Sequence, residues 1–485
     1  MSPMPPASTS ARLLAEQALS RAAGAPLLGG NAAELLIDAE AHFTAWLAAI
    51  RGAQRRVLLE NYIIRDDAVG RSFLEALVEC ARRGVFVAVI YDWLGCRGQL
   101  RNSFWEPLRK AGGQVRAYNP PRFGQPFGWI SRDHRKQLVV DGRLGFLSGV
   151  CLSEKWLGDP RRGVAPWRDT GVALRGPAVA ELESAFAESW SSIGTPLPTP
   201  PPPPGGAAAE GGVALRVIAT QPATAGMYRL DQLIASMARR SLWLTDAYFV
   251  GVATYTQALA AAAHDGVDVR LLVPGSSDIP AVASMSRAGY RPLLKAGIRV
   301  FEWNGSMLHA KSAVADGRWA RVGSSNLNLA SWLSNREIDV AVEDAGFAAL
   351  LAAQYERDLE NATEIVLAPR RWARQSEQVC SSMARPPRQR RPGGSSGRTA
   401  AGALRIANTV GAALTDRRVL GDTSVSPLLT TALVLALLAI VALLWPLVLG
   451  LPLAVVAVWL SLNFVARAWQ LRRRRRRHEY PAAED

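Results

Sequence analysis

The order of hydrophobic and polar segments along the chain occurs twice. The first half carries a predicted strand, a predicted helix and a second, buried strand at residues 55–64, 72–84 and 85–93. The second half repeats this order at residues 241–250, 256–266 and 267–275. Alternation of strands and helices predicts an α/β layered fold built from two related halves.

Each half continues in the same way. The stretch LRKAGGQVRAYNP at residues 108–120 corresponds to LLKAGIRVFEW at residues 293–303. Each half then has a further apolar strand followed by a closing helix, at about residues 178–190 and 347–359. We therefore expect two mixed β-sheets, each flanked by helices and related by a pseudo-twofold axis.

A long apolar run marks the C-terminal region. Residues 428–466 contain no charged side chain. A single helix of that length would extend about 58 Å, nearly twice the thickness of the hydrocarbon core of a bilayer. Pro446, Gly450 and Pro452 interrupt the run near its middle. A transmembrane helical hairpin is therefore predicted, with a buried hairpin of a soluble protein as the alternative.

Composition divides the chain into segments. We expect an N-terminal segment (1–30), a first domain (31–193), a Pro/Gly linker (194–212), a second domain (213–370), a basic disordered linker (371–424), the transmembrane hairpin (425–468) and an Arg-rich tail (469–485).

The net charge of +15 lies mostly in the tail. Residues 370–485 carry 18 Arg, no Lys and 6 acidic residues, a net of +12, which leaves the other 369 residues at +3. A nucleic-acid enzyme is expected to carry its positive charge on the catalytic body, so no nucleic-acid partner is expected. The run of six Arg at 472–477 resembles a nucleic-acid tail when taken alone, but beside an apolar span it favours contact with an anionic membrane surface.

Cysteine usage favours a reducing compartment, and the N-terminus agrees with it. The four Cys, at positions 80, 96, 151 and 380, form no CxxC pair and have no metal-ligand spacing. Disulfides and zinc are therefore not expected. The N-terminal residues lack an apolar stretch of signal-peptide length, so export of the catalytic part is not expected.

A short polar motif also occurs twice, as HRKQLVVDG and HAKSAVADG. Each copy has the form H-x-K-x₄-D, and the six residues are His134, Lys136, Asp141, His309, Lys311 and Asp316. A single histidine in a β-rich core is more often structural than catalytic. Two copies in the same setting, each at an apolar strand, indicate catalysis.

The residue types in this motif suit the cleavage of a phosphodiester by double displacement. One imidazole attacks and the other protonates the leaving oxygen, while each lysine supplies positive charge for the phosphate oxygens. On a strand, H-x-K places both side chains on one face. Asp141 and Asp316 lie an odd number of residues beyond the lysine and are expected to point away and pair nearby.

With these motifs the chain resembles the phospholipase D superfamily, whose signature is a paired HxKxxxxD. Ser324 and Asn326 in GSSN match the family's GSxN, which helps to hold the phosphate. The resemblance implies that Glu337 in NREIDV supports His309 and that Asp169 in WRDT supports His134. The first half departs from the pattern, because Cys151 stands where relatives have Asn.

Within the superfamily the chain resembles most the bacterial cardiolipin synthases of the shorter B type, over about residues 20–366. The resemblance implies phosphatidyl transfer from phosphatidylglycerol or a related donor, through a phosphatidyl-histidine, with no cofactor and no metal. His134 is then the nucleophile and His309 the acid. A phospholipase D hydrolase, a nuclease of the same superfamily and an inactive membrane scaffold are the alternatives. The expected location is the bacterial inner membrane, with the catalytic body on the cytoplasmic side.

Overall fold

The computed structural model describes residues 7–121, 131–198, 208–367 and 458–459. Its α-helices in the first three of these ranges are α1 (Ala7–Ala23), α2 (Asp38–Gly52), α3 (Ala68–Arg82), α4 (Trp93–Cys96), α5 (Glu106–Lys110), α6 (Ala178–Ser192), α7 (Gly226–Met237), α8 (Ala253–His264), α9 (Pro280–Ala288), α10 (Tyr290–Lys295), α11 (Leu329–Leu333) and α12 (Ala345–Glu360). Its strands there are β1 (Leu28–Ile37), β2 (Arg56–Asn61), β3 (Phe86–Asp92), β4 (Gln114–Tyr118), β5 (Lys136–Val140), β6 (Leu144–Ser148), β7 (Thr170–Arg175), β8 (Val213–Thr220), β9 (Ser241–Thr245), β10 (Asp268–Pro274), β11 (Arg299–Trp303), β12 (Ser312–Ala315), β13 (Trp319–Gly323), β14 (Glu337–Val342) and β15 (Ala362–Ile365).

The strands of the described ranges join in one mixed sheet. Its order is β15-β11-β10-β9-β12-β13-β14-β8-β1-β7-β6-β5-β2-β3-β4. β1 and β8 pair antiparallel at the centre, and the two halves have the same strand order outward from that pair, with β15 added at one edge. The predicted α/β class is confirmed, but the two separate sheets expected from sequence are joined into one, because β1 of the first half pairs with β8 of the second.

The strands that sequence patterning identified most clearly are the parallel ones. β2, β3 and β4 run parallel, and so do β9, β10 and β11. Parallel strands are covered on both faces, so a central one such as β3 (FVAVIYD) is almost continuously apolar and is recognised without alternation. The predicted helix 72–84 begins earlier, as α3 at Ala68, because the Asp67 side chain accepts a hydrogen bond from Gly70 N at 3.0 Å and caps it.

Two helical layers cover the sheet. On one face, α6 and α12 share a single core to which both halves contribute; its large members include Leu182, Phe186, Trp190, Phe347 and Leu351. On the other face, the core of the first half packs under α2, α3 and α5, and that of the second half under α1, α7, α8 and α10. The shared layer fixes the two halves against each other.

Helix α1 was not predicted; sequence analysis treated residues 1–30 only as an N-terminal segment. Leu19 and Ala23 of this helix are buried in the core of the second half, together with Met227 and Leu230 of α7. Arg229 Nε also donates to the carbonyl oxygen of Ala22 at 3.1 Å. The N-terminal helix therefore packs with residues that follow it by about 200 positions in the sequence.

Asp141 and Asp316 lie at the end of their strand opposite to the motif lysine. The Asp141 carboxylate accepts hydrogen bonds from the backbone N–H groups of Gln54, Arg55 and Arg56, at 2.9, 2.8 and 2.9 Å. The Asp316 carboxylate does the same for Arg239, Arg240 and Ser241, at 2.9, 2.7 and 3.0 Å. Both aspartates have a positive φ, 56° and 54°. They therefore fix the start of β2 and of β9 and do not reach the lysine end of the strand.

Several predicted segments lie outside the described residues. These are the basic linker (371–424), the Arg-rich tail (469–485), the hairpin (425–468) except residues 458 and 459, and positions 199–207 of the Pro/Gly linker. Among the helices that the structure describes, none combines the length and the apolar character needed to cross a membrane.

Replacing Asp141 by Ala is expected to destabilise the protein and to spare the chemistry. Three backbone N–H groups lose a charged acceptor, and the expected loss is about 2 kcal/mol of unfolding free energy. The melting temperature of the full-length protein measures this, with Asp141→Asn as the control that keeps one acceptor oxygen. An unchanged melting temperature together with lost turnover would instead assign Asp141 to catalysis.

Candidate active site

Each motif histidine lies just before its strand, on a segment that pairs with the other half. His134 N donates to the carbonyl oxygen of Arg336 at 2.9 Å, and His309 N donates to that of Arg168 at 2.7 Å. Isolated parallel bridges, Asp133 with Arg336 and Arg168 with Leu308, extend both contacts. The main chain of each half therefore holds the histidine of the other.

The carboxylates that support the histidines are exchanged between the halves. His134 Nδ1 lies 2.8 Å from Glu337 Oε2, and His309 Nδ1 lies 2.8 Å from Asp169 Oδ2. The predicted pairs, Asp169 with His134 and Glu337 with His309, are wrong. The physical reason is the bridging described above, because each acid directly follows the arginine whose carbonyl oxygen binds the opposite histidine.

Asp169 is held as a carboxylate. Its Oδ2 also accepts from Trp156 Nε1 at 3.0 Å, and its Oδ1 from Thr170 N at 2.9 Å. Burial alone would raise the pKa of Asp169, but the neighbouring His309 and Lys311 outweigh burial and keep this pKa below its ordinary value. The acid behind His309 is therefore ionised at neutral pH.

Glu337 has a different environment. Its Oε2 accepts from Ser324 Oγ at 2.7 Å and its Oε1 from Asn335 Nδ2 at 3.1 Å. Burial raises the pKa of Glu337 to about 7, although Lys136 and the hydrogen bonds oppose the increase. The acid behind His134 therefore titrates near neutral pH.

Burial and mutual repulsion lower the pKa of both histidines. The pKa of His309 falls to about 4, through burial and the charge of Lys311, with Asp169 acting in the opposite direction. The pKa of His134 lies well below its ordinary value, through burial and the charges of Lys136 and Lys311. A phosphodiester anion among these groups would raise both pKa values, so the site is electrostatically suited to a phosphate.

The two lysines are fully buried. Lys136 Nζ donates to the carbonyl oxygen of His134 at 2.6 Å, and Lys311 Nζ donates to that of His309. Burial lowers the pKa of Lys311 to about 8 and also lowers that of Lys136. Each ammonium group therefore lies directly beside the histidine of its own motif.

Aromatic rings line the histidines. Tyr62 lies 4.7 Å from the His134 ring, measured between centroids. Trp156, Trp167 and Tyr248 lie 5.3, 5.6 and 5.7 Å from the His309 ring. Sequence analysis missed this role, although aligning the repeats, with NYII at the end of β2 against AYFV after β9, would have shown two tyrosines in matching places.

The turn that was predicted to hold phosphate serves partly another purpose. The Ser324 hydroxyl donates to Glu337 and accepts from Ile338 N at 2.9 Å, so it positions the acid. Asn326 is buried, and its Oδ1 has no hydrogen-bond partner among the described residues. Cys151 is buried in the core of the first half, where burial raises its pKa and keeps it a thiol.

Two similar halves that each contribute a buried histidine and lysine to one site define a phospholipase D-like protein. A family model described as cardiolipin synthase, PLD-like domain, matches residues 46–190 and 230–359. The chain belongs to this family.

Similar proteins agree with the family assignment. The chain is 35% identical to cardiolipin synthase A of Pseudomonas aeruginosa (strain LESB58) over 378 residues, which is 76% of this chain and 75% of the relative. It is 34% identical to cardiolipin synthase A of Pseudomonas entomophila (strain L48) over 371 residues, or 74% and 75%. Both names are of the A type, so assignment to the B type stays a prediction.

The fold has a counterpart among solved structures. The crystal structure of phosphatidylserine synthase from Haemophilus influenzae Rd KW20 superposes with a TM-score of 0.53 at 13% identity, covering 76% of this chain and 98% of that one. This likeness supports the two-part α/β fold.

Because each histidine is paired with a carboxylate of the other half, substituting one carboxylate is expected to impair the histidine of the opposite half. Glu337→Gln is expected to impair the function of His134, because either orientation of the amide turns an NH₂ group toward a donor, His134 and Ser324 on one side or Asn335 on the other. Asp169→Asn is expected to impair His309. We expect each to lower kcat by about 10²–10⁴-fold.

Steady-state kinetics against pH measures the first defect. In the wild type, kcat/KM is expected to fall as pH decreases through about 7, because protonated Glu337 no longer accepts the Nδ1 proton of His134. Glu337→Gln should lose this dependence, and Asp169→Asn should keep it. If Asp169→Asn lost the pH dependence and Glu337→Gln kept it, the result would contradict the exchanged pairs and favour the pairs expected from sequence.

Proposed function

We propose that the protein is a phosphatidyltransferase that makes cardiolipin from phosphatidylglycerol, or a related phospholipid donor, through a phosphatidyl-histidine intermediate. The observation that carries the proposal is the meeting of two His–carboxylate pairs, each with a buried lysine, from the two halves. The names of the relatives supply the substrate class.

His134 is assigned as the nucleophile in this proposal. Its Nδ1 proton is directed to Glu337, which leaves the Nε2 lone pair for attack on phosphorus. Its pKa is depressed by burial and by both lysines, which keeps the imidazole neutral. Attack forms the N–P bond and breaks the bond from phosphorus to the glycerol oxygen.

His309 is assigned as the general acid. Burial and Lys311 lower the pKa of His309 to about 4 in the free site, against the opposing effect of the ionised Asp169. A bound phosphate would raise this pKa and allow His309 to carry the proton. His309 gives its proton to the departing glycerol oxygen. In the second step the same nitrogen takes the proton of the incoming hydroxyl of a second phospholipid, which attacks phosphorus and releases His134.

The lysines stabilise the transition state in this mechanism. Lys136 and Lys311 lie beside the two histidines and supply positive charge where the non-bridging phosphate oxygens gain negative charge. Ser324 and Asn335 position Glu337, and Asn326 adds an amide at the same turn.

We further propose that the two halves are related by a pseudo-twofold axis through the β1–β8 pair, with the domain boundaries given above. The axis is supported by the same strand order outward from the centre in both halves and by the antiparallel pairing of β1 with β8. We also propose that the hairpin 425–468 anchors the chain in the bacterial inner membrane, with the body on the cytoplasmic side. The support is the apolar run and the Arg residues on both sides of it.

Expression in a cardiolipin-deficient bacterial host, followed by lipid chromatography, tests the proposed function. Cardiolipin is expected with the wild type and is expected to be absent with His134→Ala or His309→Ala. Accumulation of phosphatidic acid without cardiolipin would mean that water is the acceptor and that the protein is a hydrolase.

A donor with an activated leaving group separates the roles of the histidines. Such a group needs no proton, so His309→Ala should still form the covalent phosphatidyl-enzyme while His134→Ala should not. Mass spectrometry of the trapped protein measures this. The reverse pattern would exchange the two roles.

Turnover is expected to survive EDTA, because the two lysines already provide the charge that a metal ion would provide. Among the residues that the structure describes, no three His, Cys, Asp or Glu side chains are grouped so that they could hold a metal ion. The assay is transfer before and after chelation. Loss of turnover that one divalent ion restores would contradict the mechanism.

A further inference from the structure

Helix α11 exposes an apolar face beside the active site. Leu329 and Leu333, one turn apart, are 36% and 39% exposed, and Ala330 beside them is also exposed. The helix buries Ser331 and Trp332 instead. A surface helix normally turns its polar side to water, so this reversed arrangement calls for a partner surface.

A second exposed element lies beyond the tryptophans that contact His309. Residues 160–166 are all exposed and include Arg161, Arg162 and Val164, which is 42% exposed. The two ends of this segment are joined where Trp167 N donates to the carbonyl oxygen of Trp156 at 3.1 Å. Because Trp156 and Trp167 both contact the His309 ring, this segment is connected directly to the active site.

Contacts join the two elements around the mouth of the site. Asn328, which caps α11, donates to the carbonyl oxygen of Tyr248 at 3.0 Å. Tyr248 Oη donates to Asp278 at 2.7 Å, and Lys155 Nζ donates to the same carboxylate at 3.2 Å. Lys155 Nζ also lies 4.2 Å from the Trp167 ring centroid. Helix α11 and the exposed segment that carries Arg161 and Arg162 are thus parts of one rim.

We propose that this docking rim, formed by α11 and residues 158–166, seats the active site on a bilayer that contains anionic phospholipid. The inference rests on the proposed function and names the surface from which the substrate is taken. Leu329, Leu333 and Val164 enter the apolar boundary of the lipid, while Arg161 and Arg162 contact anionic head groups.

The size and chemistry of the rim favour lipid over a second copy of the chain. A stable protein interface needs about 800 Å² from each partner, which three side chains, each less than half exposed, do not approach. Residues 158–166 carry Arg161 and Arg162 against one acid, Asp159, whose carboxylate lies 4.0 Å from Arg162 Nε, so the segment has a net charge of +1. Positive charge next to apolar side chains matches the boundary between anionic head groups and acyl chains. The predicted membrane hairpin of the same chain would keep a bilayer within reach.

Site-specific labelling tests the contact directly. Full-length protein with Cys380→Ser, which leaves only the buried Cys80, Cys96 and Cys151, receives Val164→Cys or Leu333→Cys and a polarity-sensitive fluorophore. The control is Leu350→Cys on α12, a position that is 58% exposed. In bilayers of phosphatidylglycerol and phosphatidylcholine, a nitroxide lipid should quench the labels at 164 and 333 and spare the label at 350.

Two results of this experiment would overturn the proposal. One is equal quenching, or none, at all three positions. The other is a spectral change at position 333 that follows protein concentration in detergent without lipid, which would assign the face to a second copy of the chain.

Activity provides an independent readout. Leu329→Ser/Leu333→Ser is expected to slow transfer from long-chain phosphatidylglycerol in vesicles about tenfold, and to leave transfer from a dispersed short-chain phosphatidylglycerol within about twofold of wild type. Leu350→Ser is the matched control and should change neither rate. Arg161→Ser/Arg162→Ser should slow the vesicle reaction several-fold at low salt and less at high salt.

Loss on both substrates alike would overturn the docking role, because it would indicate damage to the site itself. If the wild type transferred no phosphatidyl group to any acceptor, the proposed function would fail, and the labelled positions would still decide whether the rim meets lipid.

Discussion

The exchange of backbone and side-chain contacts between the halves is the constraint on which the site depends. Each histidine receives its main-chain partner and its carboxylate from the opposite half. Neither half therefore contains a complete acid–base group of its own. The antiparallel β1–β8 pair and the core shared by α6 and α12 hold the halves in the register that this exchange needs.

The same arrangement makes it possible to bury several ionisable groups together. Two lysines and two histidines share one interior region, a combination that repulsion alone would oppose. Asp169 stays ionised there and offsets part of the positive charge, whereas Glu337 titrates near neutral pH. Two nearly identical motifs thus acquire different proton affinities through the different groups around their acids.

Sequence reasoning reached the parallel strands, the closing helices and the paired motif, because each is encoded by residues close together in the chain. It could not assign which acid meets which histidine. His134 and Glu337 are 203 positions apart, and the choice between partners depends on how one half is placed on the other. The rim around the site was not predicted for a related reason, since the contacts that join its two parts, such as that between Asn328 and Tyr248, form only in the folded sheet.

The position of α1 has a consequence for the order of folding during synthesis. This helix is synthesised well before α7, yet the core that buries Leu19 and Ala23 is built from α7 and its neighbours in the second half. The first helix must therefore wait for the chain beyond residue 237 before it can dock. Until then the apolar side of α1 lacks the core that buries it, so a working site is assembled only after both halves have been synthesised.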